Sequence, residues 1–351
     1  LLADDIAKAL GSEHAKEVEA IAICFLHSYA NPTNEIAAKA IVEQILPGIP
    51  VSLSSEVLPE IGEYGRASTT VANAYVQPLI ENYLGALDDT LAEKGSSGAF
   101  FVMGSNAGTL SLDVARKHPV RLVESGPAAG VSIAAHYART LDISHLLSFD
   151  MGGTTAKIAL VTDFEPARAT EFEVARVKRF QKGSGLLLKA PAVELIEIGA
   201  GGGSIANVDA LGLLSVGPES AGSSPGPACY GQGGEFATVT DADIVLGYLN
   251  PDYFLGGKMQ LDRDRSIAAI DQHVSSPMSV KTAQAAASIF EVVNDNMANA
   301  AAIYSAEQGI DLRNYSLLAF GGAAPAHAWD VARRLGISEV RIPFAAGVLS
   351  A

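Results

Sequence analysis

One heptapeptide constrains this chain more than any other: Phe149-Asp150-Met151-Gly152-Gly153-Thr154-Thr155. The apolar run 146–150 leads into it and a second run, 157–162, leads out, so it reads as a strand ending in a carboxylate, a tight turn and a returning strand. Such a turn suits a phosphate. Two glycines without Cβ atoms let backbone N–H groups close on an anion, the hydroxyls of Thr154 and Thr155 add donors, and Asp150 can hold a hydrated Mg²⁺ that neutralises the charge. Neither GxxxxGK[ST] nor GxGxxG stands in this setting, which disfavours a P-loop or a dinucleotide-binding unit. An ordinary hairpin with a Gly-Gly turn uses the same residues, so the reading depends on what accompanies it.

Two further segments repeat the theme. Phe320-Gly321-Gly322-Ala323-Ala324-Pro325 joins a buried strand (315–320) to a helix (325–335) with proline in its first turn. A helix start offers free N–H groups, and small side chains let a flat ring lie on the backbone; close helix–strand packing would select the same residues. Gly199-Ala200-Gly201-Gly202-Gly203-Ser204 follows a strand at 194–198. Four glycines cost conformational entropy unless backbone must approach a ligand or fold sharply, and a flexible hairpin entry is the plainer account. The candidate pocket is therefore Asp150 as metal-binding and catalytic carboxylate, with Gly152, Gly153, Thr154, Thr155, Gly201, Gly202, Gly203, Ser204, Gly321 and Gly322 around the cofactor. The basic island Arg176, Lys178, Arg179, Lys182 and Lys189 reads as a solvated hairpin face or an anion-steering patch. His327 and Cys229 belong to no triad and read as packing residues.

The rest of the chain has α/β rhythm: strands at 20–26 and 51–54, a helix at 33–46, a long helix at 65–94, strands at 100–103 and 121–123, and a helix at 128–140. Then come the strands around Asp150, a hairpin partner at 211–216, a Gly/Pro/Ser-rich stretch at 217–234, helices from 241 and at 282–307, and a last strand at 339–342. The 351 residues suggest two domains, 1–141 and 142–351, with a boundary near Asp142. Twenty-four Lys and Arg against 39 Asp and Glu give a net charge of −15, which repels nucleic acid and anionic membrane surfaces. Two isolated cysteines, Cys24 and Cys229, argue against a disulfide scaffold or a structural zinc site, and a cytoplasmic, reducing compartment is expected. No apolar run is long enough for a membrane span, and no secretory leader is visible at the start. Both ends read as cut from something longer.

In order along the chain stand Glu56-Val57-Leu58-Pro59-Glu60, Glu124-Ser125-Gly126-Pro127-Ala128-Ala129-Gly130-Val131, the heptapeptide, the glycine loop, Val216-Gly217-Pro218-Glu219-Ser220-Ala221-Gly222, Pro225-Gly226-Pro227-Ala228-Cys229-Tyr230-Gly231, Thr238-Val239-Thr240-Asp241-Ala242-Asp243, Phe254-Leu255-Gly256-Gly257 and Phe320-Gly321-Gly322-Ala323. Taken together they resemble the hydantoinase A / 5-oxoprolinase / acetone carboxylase family over nearly the whole chain. The resemblance implies an actin-like ATPase fold, two ribonuclease H-like halves closing on ATP and Mg²⁺, here one complete half plus the back of the other. It makes Asp150–Thr154 the second phosphate motif and Gly321-Gly322 the adenosine motif. It also implies ATP-dependent phosphorylation of a cyclic amide before ring opening, with ketone carboxylation or an actin-like switch on a protein partner as alternatives. A second, hydantoinase B-like subunit and an oligomer are expected with it. Lys157 stands where the family usually has Asp, and the family's first phosphate motif is not in these 351 residues, so the chain by itself is expected to be inactive.

Overall fold

A computed structural model describes residues 3–11, 17–175 and 183–350. Four members of the basic island, Arg176, Lys178, Arg179 and Lys182, lie outside the described residues. The chain divides into two compact units, Leu1–Ala128 with Arg168–Val193, and Ala129–Ala167 with Glu194–Ala351. The division falls inside the helix Ser125–Leu141 and not at Asp142, and the insert Arg168–Val193 returns to the first unit.

The first unit contains a two-stranded parallel pair, Ile21–Ile23 with Val51–Leu53, and the helices Ala3–Leu10 and Thr33–Ile45. Ile23, Ala38, Val42 and Leu53 form its small core. The helix Glu63–Glu93 follows, where a long helix was expected, but its apolar repeat does not face inward. Val71, Tyr75, Leu79 and Tyr83 are 55 to 84% exposed, while Arg66, Thr69, Thr70, Asn73 and Ala74 are buried. The buried side of this helix is polar because each group finds a partner. Arg66 donates to Ser54 Oγ (3.1 Å), Glu60 O (3.1 Å) and Phe25 O (2.7 Å) and pairs with Glu63, and Thr69 Oγ1 accepts from Lys189 N at 2.9 Å. Gly65 leaves room for the Lys189 stem, which a Cβ would meet at 3.0 Å. The strand expected at 121–123 is a short helical turn, Pro119–Leu122: proline at its start sets a helical φ and removes a sheet donor.

The second unit is built on one six-stranded sheet. Its main path runs Ile196–Ile198, Ala156–Thr162, His145–Met151, Ser316–Phe320, Val340–Arg341, and Glu165–Pro166 pairs back on Ala156–Thr162. Along this path Ala156–Thr162 is antiparallel to both of its neighbours, Ile196–Ile198 and His145–Met151, and the last three strands are parallel to one another. Leu146, Leu147, Phe149 and Met151 on one central strand and Leu317, Leu318, Ala319 and Phe320 on the other are essentially solvent-free, as near-continuous apolar strands must be when both faces are covered. The Ala-rich helix Thr282–Glu307 supplies Ala285, Ala286, Ile289, Val293 and Met297 to this core, and Ala324–Leu335 supplies Ala328 and Val331. Small residues permit close approach: a Cβ on Gly130, in the helix Ser125–Leu141, would sit 2.9 Å from the Phe320 ring. The segment expected at 211–216 as the hairpin partner of the strand at 194–198 is Leu214–Ser220 and pairs instead with Ser204–Val208, across a tight turn that Asp209 caps through Leu211 N and Leu213 N, while Ile196–Ile198 pairs with Ala156–Thr162.

Candidate functional site

Asp150 lies next to the end of its strand, opposite Phe320 on the parallel side and Lys157 on the antiparallel side. Burial pushes its carboxyl pKa up, against the opposing pull of the Ser350 hydroxyl and the Lys157 charge. A carboxylate kept partly from water in this way gains from a cation beside it. Lys157 is itself 3.8 Å from Glu197 on the neighbouring strand.

The turn after Asp150 is closed by Gly152 N donating to Thr155 O at 3.1 Å. A Cβ on Gly152 or Gly153 would meet nothing within 4 Å. Gly153 and Thr154 are exposed, and their N–H groups have no partner among the described residues. The glycine loop packs against this turn. Gly202 N donates to Gly152 O (3.0 Å) and Gly203 N to Gly153 O (2.6 Å), so these two carbonyls are satisfied by protein while the amides of Gly153 and Thr154 are left over.

Gly201 is glycine because of that contact: a Cβ there would stand 2.6 Å from Thr154 N and 2.7 Å from Gly153 C and O. Gly201 N donates to the buried Ser204 Oγ at 2.9 Å. The N–H groups of Gly201, Gly202 and Gly203 and the Ser204 hydroxyl are thus committed inside the protein, and these four residues shape the turn. Sequence reasoning missed what anchors the loop from behind: Gly202 O accepts from Thr240 N (2.7 Å) and Thr240 Oγ1 (2.8 Å). Thr240 opens the helix Val239–Leu246, whose start carries a reciprocal cap between Thr238 and Asp241. The Thr-x-x-Asp spacing at 238–241 was the available signal.

The third segment meets the other two. Gly321 has φ +91°, and a Cβ on it would lie 2.4 Å from Asp150 Oδ1 and 2.5 Å from Met151 O. Ala323 N donates to Met151 O at 2.9 Å, and the Ala323 Cβ is 3.7 Å from the Cβ position of Gly202. Gly322 is exposed with open space beside it, at the entry to the helix Ala324–Leu335. Asp150, the 152–155 turn, the 199–204 loop and Gly321-Gly322 therefore form one constellation on one sheet end. Its chemical character is a half-buried carboxylate among unpaired backbone donors, the arrangement that holds a phosphate and its metal.

Among the described residues no three His, Cys, Asp or Glu side chains cluster to hold a metal. A single carboxylate fits Mg²⁺, which keeps several waters and takes its remaining ligands from phosphates, and does not fit an all-protein metal cage. Cys229 is fully buried, with its thiol pKa pushed up by burial and by Asp241, so it is no nucleophile. His327 is fully buried in the helix after Gly322.

The hydantoinase/oxoprolinase family model matches residues 66–351, and the model of that family's N-terminal region matches residues 1–46. The chain belongs to the hydantoinase/oxoprolinase family. It is 37% identical over 336 residues to caprolactamase subunit alpha of Pseudomonas jessenii, covering 96% of this chain and 47% of that protein. It is 32% identical over 362 residues to 5-oxoprolinase 1 of Arabidopsis thaliana, covering 96% of this chain and 27% of the other. Among solved structures, nucleotide-free acetone carboxylase, described in a study of ATP-dependent acetone carboxylation, superposes with a TM-score of 0.84 and 31% identity. It covers 100% of this chain and 48% of that one. The chain spans about half the length of the first curated relatives it matches. Every motif quoted for the resemblance after residue 65 falls inside the matched region.

Proposed function

We propose that this hydantoinase/oxoprolinase chain is the ATP-binding part of an ATP-dependent amidohydrolase that acts on cyclic amides. One observation carries the reading: three glycine turns converge on Asp150, leaving the N–H groups of Gly153 and Thr154 without protein partners and Gly322 open. The likeness to a caprolactamase subunit and a 5-oxoprolinase, whose names point to caprolactam and 5-oxoproline, supports the substrate class. ATP, when bound, supplies a phosphoryl group that turns a carbonyl oxygen into a leaving group.

The chain's own part is positioning and charge stabilisation. Gly153 and Thr154 would donate N–H groups to phosphate oxygens, with the Thr154 and Thr155 hydroxyls beside them. Asp150 would hold the hydrated Mg²⁺. Gly321 and Gly322 would carry the adenosine; a side chain on Gly322 would enter the open space there, and one on Gly321 would strike Asp150 and Met151. Gly201, Gly202, Gly203 and Ser204 would act through the turn they support. In this reading the fold is actin-like, with the first unit, including its insert Arg168–Val193, the back of one ribonuclease H-like half and the second unit the other. The relatives' names, subunit alpha of caprolactamase and beta subunit of acetone carboxylase, support a partner subunit.

The structural likeness to acetone carboxylase favours a second reading, carboxylation of an enolisable ketone at the same site. The deciding experiment is ADP production by the full-length protein with its partner subunit, against lactams, 5-oxoproline, hydantoins, and ketones with bicarbonate. Amide-stimulated ADP release without bicarbonate is expected; release that requires bicarbonate and a ketone selects the second reading, and release with neither rejects both.

A further inference from the structure

The helix that follows Gly321-Gly322 carries a buried titratable group that the proposed chemistry leaves unused. His327 Nδ1 lies 2.8 Å from Asn294 Oδ1, and Asn294 donates Nδ2 to Asp330 Oδ2 at 3.0 Å. His327, Asn294 and Asp330 are all buried. Asp330 Oδ1 accepts from Arg333 Nε (3.0 Å) and Nη2 (2.6 Å), its Oδ2 accepts from Arg334 Nε (2.7 Å), and Arg334 also pairs with Glu291 and Asp295. On the far side of the imidazole, Nε2 faces Oδ2 of the buried Asp243 at 3.3 Å. Phe290 stacks on the His327 ring with centroids 4.9 Å apart, and Tyr248 stacks on Phe290 at 4.8 Å.

The polarity of this chain runs one way. Burial opposes ionisation of Asp330, but hydrogen bonds from Arg334, Arg333 and Asn294 outweigh it and hold the carboxyl below its usual range. A carboxylate only accepts, so Asn294 must present its N–H to Asp330 and its oxygen to His327, and Nδ1 of His327 must carry a hydrogen. With Nδ1 turned to Asn294, the other ring nitrogen, Nε2, has the buried Asp243 carboxylate as its near neighbour at 3.3 Å, so Asp243 and His327 face one another as a close buried pair.

The two ends of this pair belong to the two supports of the site. Asp243 is in the helix Val239–Leu246, one turn after Thr240, which grips Gly202 O; Gly202 and Gly203 grip the carbonyls of Gly152 and Gly153. His327 is in the first turns of the helix that begins just after Gly322. We propose that Asp243, His327, Asn294 and Asp330 are positioning residues that fix the spacing between the Gly152-Gly153 turn and the Gly321-Gly322 turn, and thereby select a ligand that spans both. This rests on the nucleotide reading above. A nucleotide triphosphate touches both turns and feels their spacing, whereas adenosine alone touches one.

The test uses the full-length protein with its partner subunit, calorimetric titration with MgATP and separately with adenosine, and the variants Asp243→Asn, His327→Gln and their double. Each single variant is expected to weaken MgATP about tenfold and adenosine less than about twofold, since a small misplacement costs only the ligand that must meet both sides. The double variant is expected to lose no more than the worse single, because both changes break one link. The KM for ATP should rise with kcat held within about threefold. Equal losses for the two ligands, additive losses, or MgATP affinity unchanged in folded variants would overturn the proposal and return His327 to simple packing. Should Asp243→Asn fail to fold, His327→Gln decides on the same ratio of affinities. A wild-type protein that binds no MgATP overturns the nucleotide reading and this inference together; wild-type binding with indifferent variants overturns this inference alone.

Discussion

Asp150 separates function from stability. Its carboxyl pKa is raised in the folded chain by burial, so above that raised value the fold holds a charge that costs more than in the unfolded chain. The resulting destabilisation is present at neutral pH and vanishes as pH falls below the unfolded value, where both states are protonated. Asp150→Asn is therefore expected to raise Tm at pH 7, to leave it unchanged near pH 3, and, in the full-length protein with its partner subunit, to lower Mg²⁺-dependent ATP turnover by at least about a hundredfold; scanning calorimetry at the two pH values and an ADP assay check all three. The glycines divide by the same logic. Gly201→Ala puts a Cβ against the Gly153–Thr154 peptide and should cost about 1–3 kcal/mol in urea unfolding, whereas Gly322→Val enters open space and should leave stability alone while blocking ATP binding. Which glycines gather round Asp150 was legible in the sequence. What each one faces was not: Gly201 and Gly322 look alike as letters, and only the fold shows that one lies on backbone and the other on solvent.

Elements were legible where the hydrophobic period and the end signals agreed. The helix expected at 282–307 is Thr282–Glu307, and the strands either side of the Gly152-Gly153 turn differ from expectation by one residue at most. The helix Glu63–Glu93 shows the limit of periodicity, which locates an apolar stripe without saying what covers it; here hydrogen bonding decides the buried face and leaves Tyr75 and Leu79 outside. The start of the helix Val239–Leu246 shows another limit. The sequence marks Asp241 as a cap, but in the fold its buried carboxylate accepts from Ala228 N, Cys229 N, Thr238 N, Thr238 Oγ1 and Ser266 Oγ, tying a distant loop and a second helix to this one. Asp241→Ala strands those donors and should cost more than about 3 kcal/mol, while Thr238→Ala removes one cap and should cost about 1 kcal/mol. Chemical denaturation of the two variants tests the ranking; equal losses would reduce Asp241 to an ordinary cap.

At the scale of the whole molecule, composition and site pull in opposite directions. The chain carries a net charge of −15, yet the proposed ligand is an anion. The donors that would hold its phosphates are mostly backbone amides, which act only at contact, and Lys157 beside Asp150 is balanced by Glu197. At long range an approaching nucleotide therefore meets net repulsion, and salt should help it in. Between about 10 and 150 mM salt the Debye length shrinks from about 30 Å to about 8 Å, which hides most of the distant carboxylates while leaving contact hydrogen bonds intact. The association rate constant of MgATP with this chain is expected to rise about two- to fivefold over that range, while that of uncharged adenosine stays constant. Stopped-flow binding with a fluorescent ATP analogue and with its nucleoside measures both. A rate that falls with salt would mean that local cations, and not the acidic envelope, govern the approach, with Lys157 beside Asp150 as the steering group.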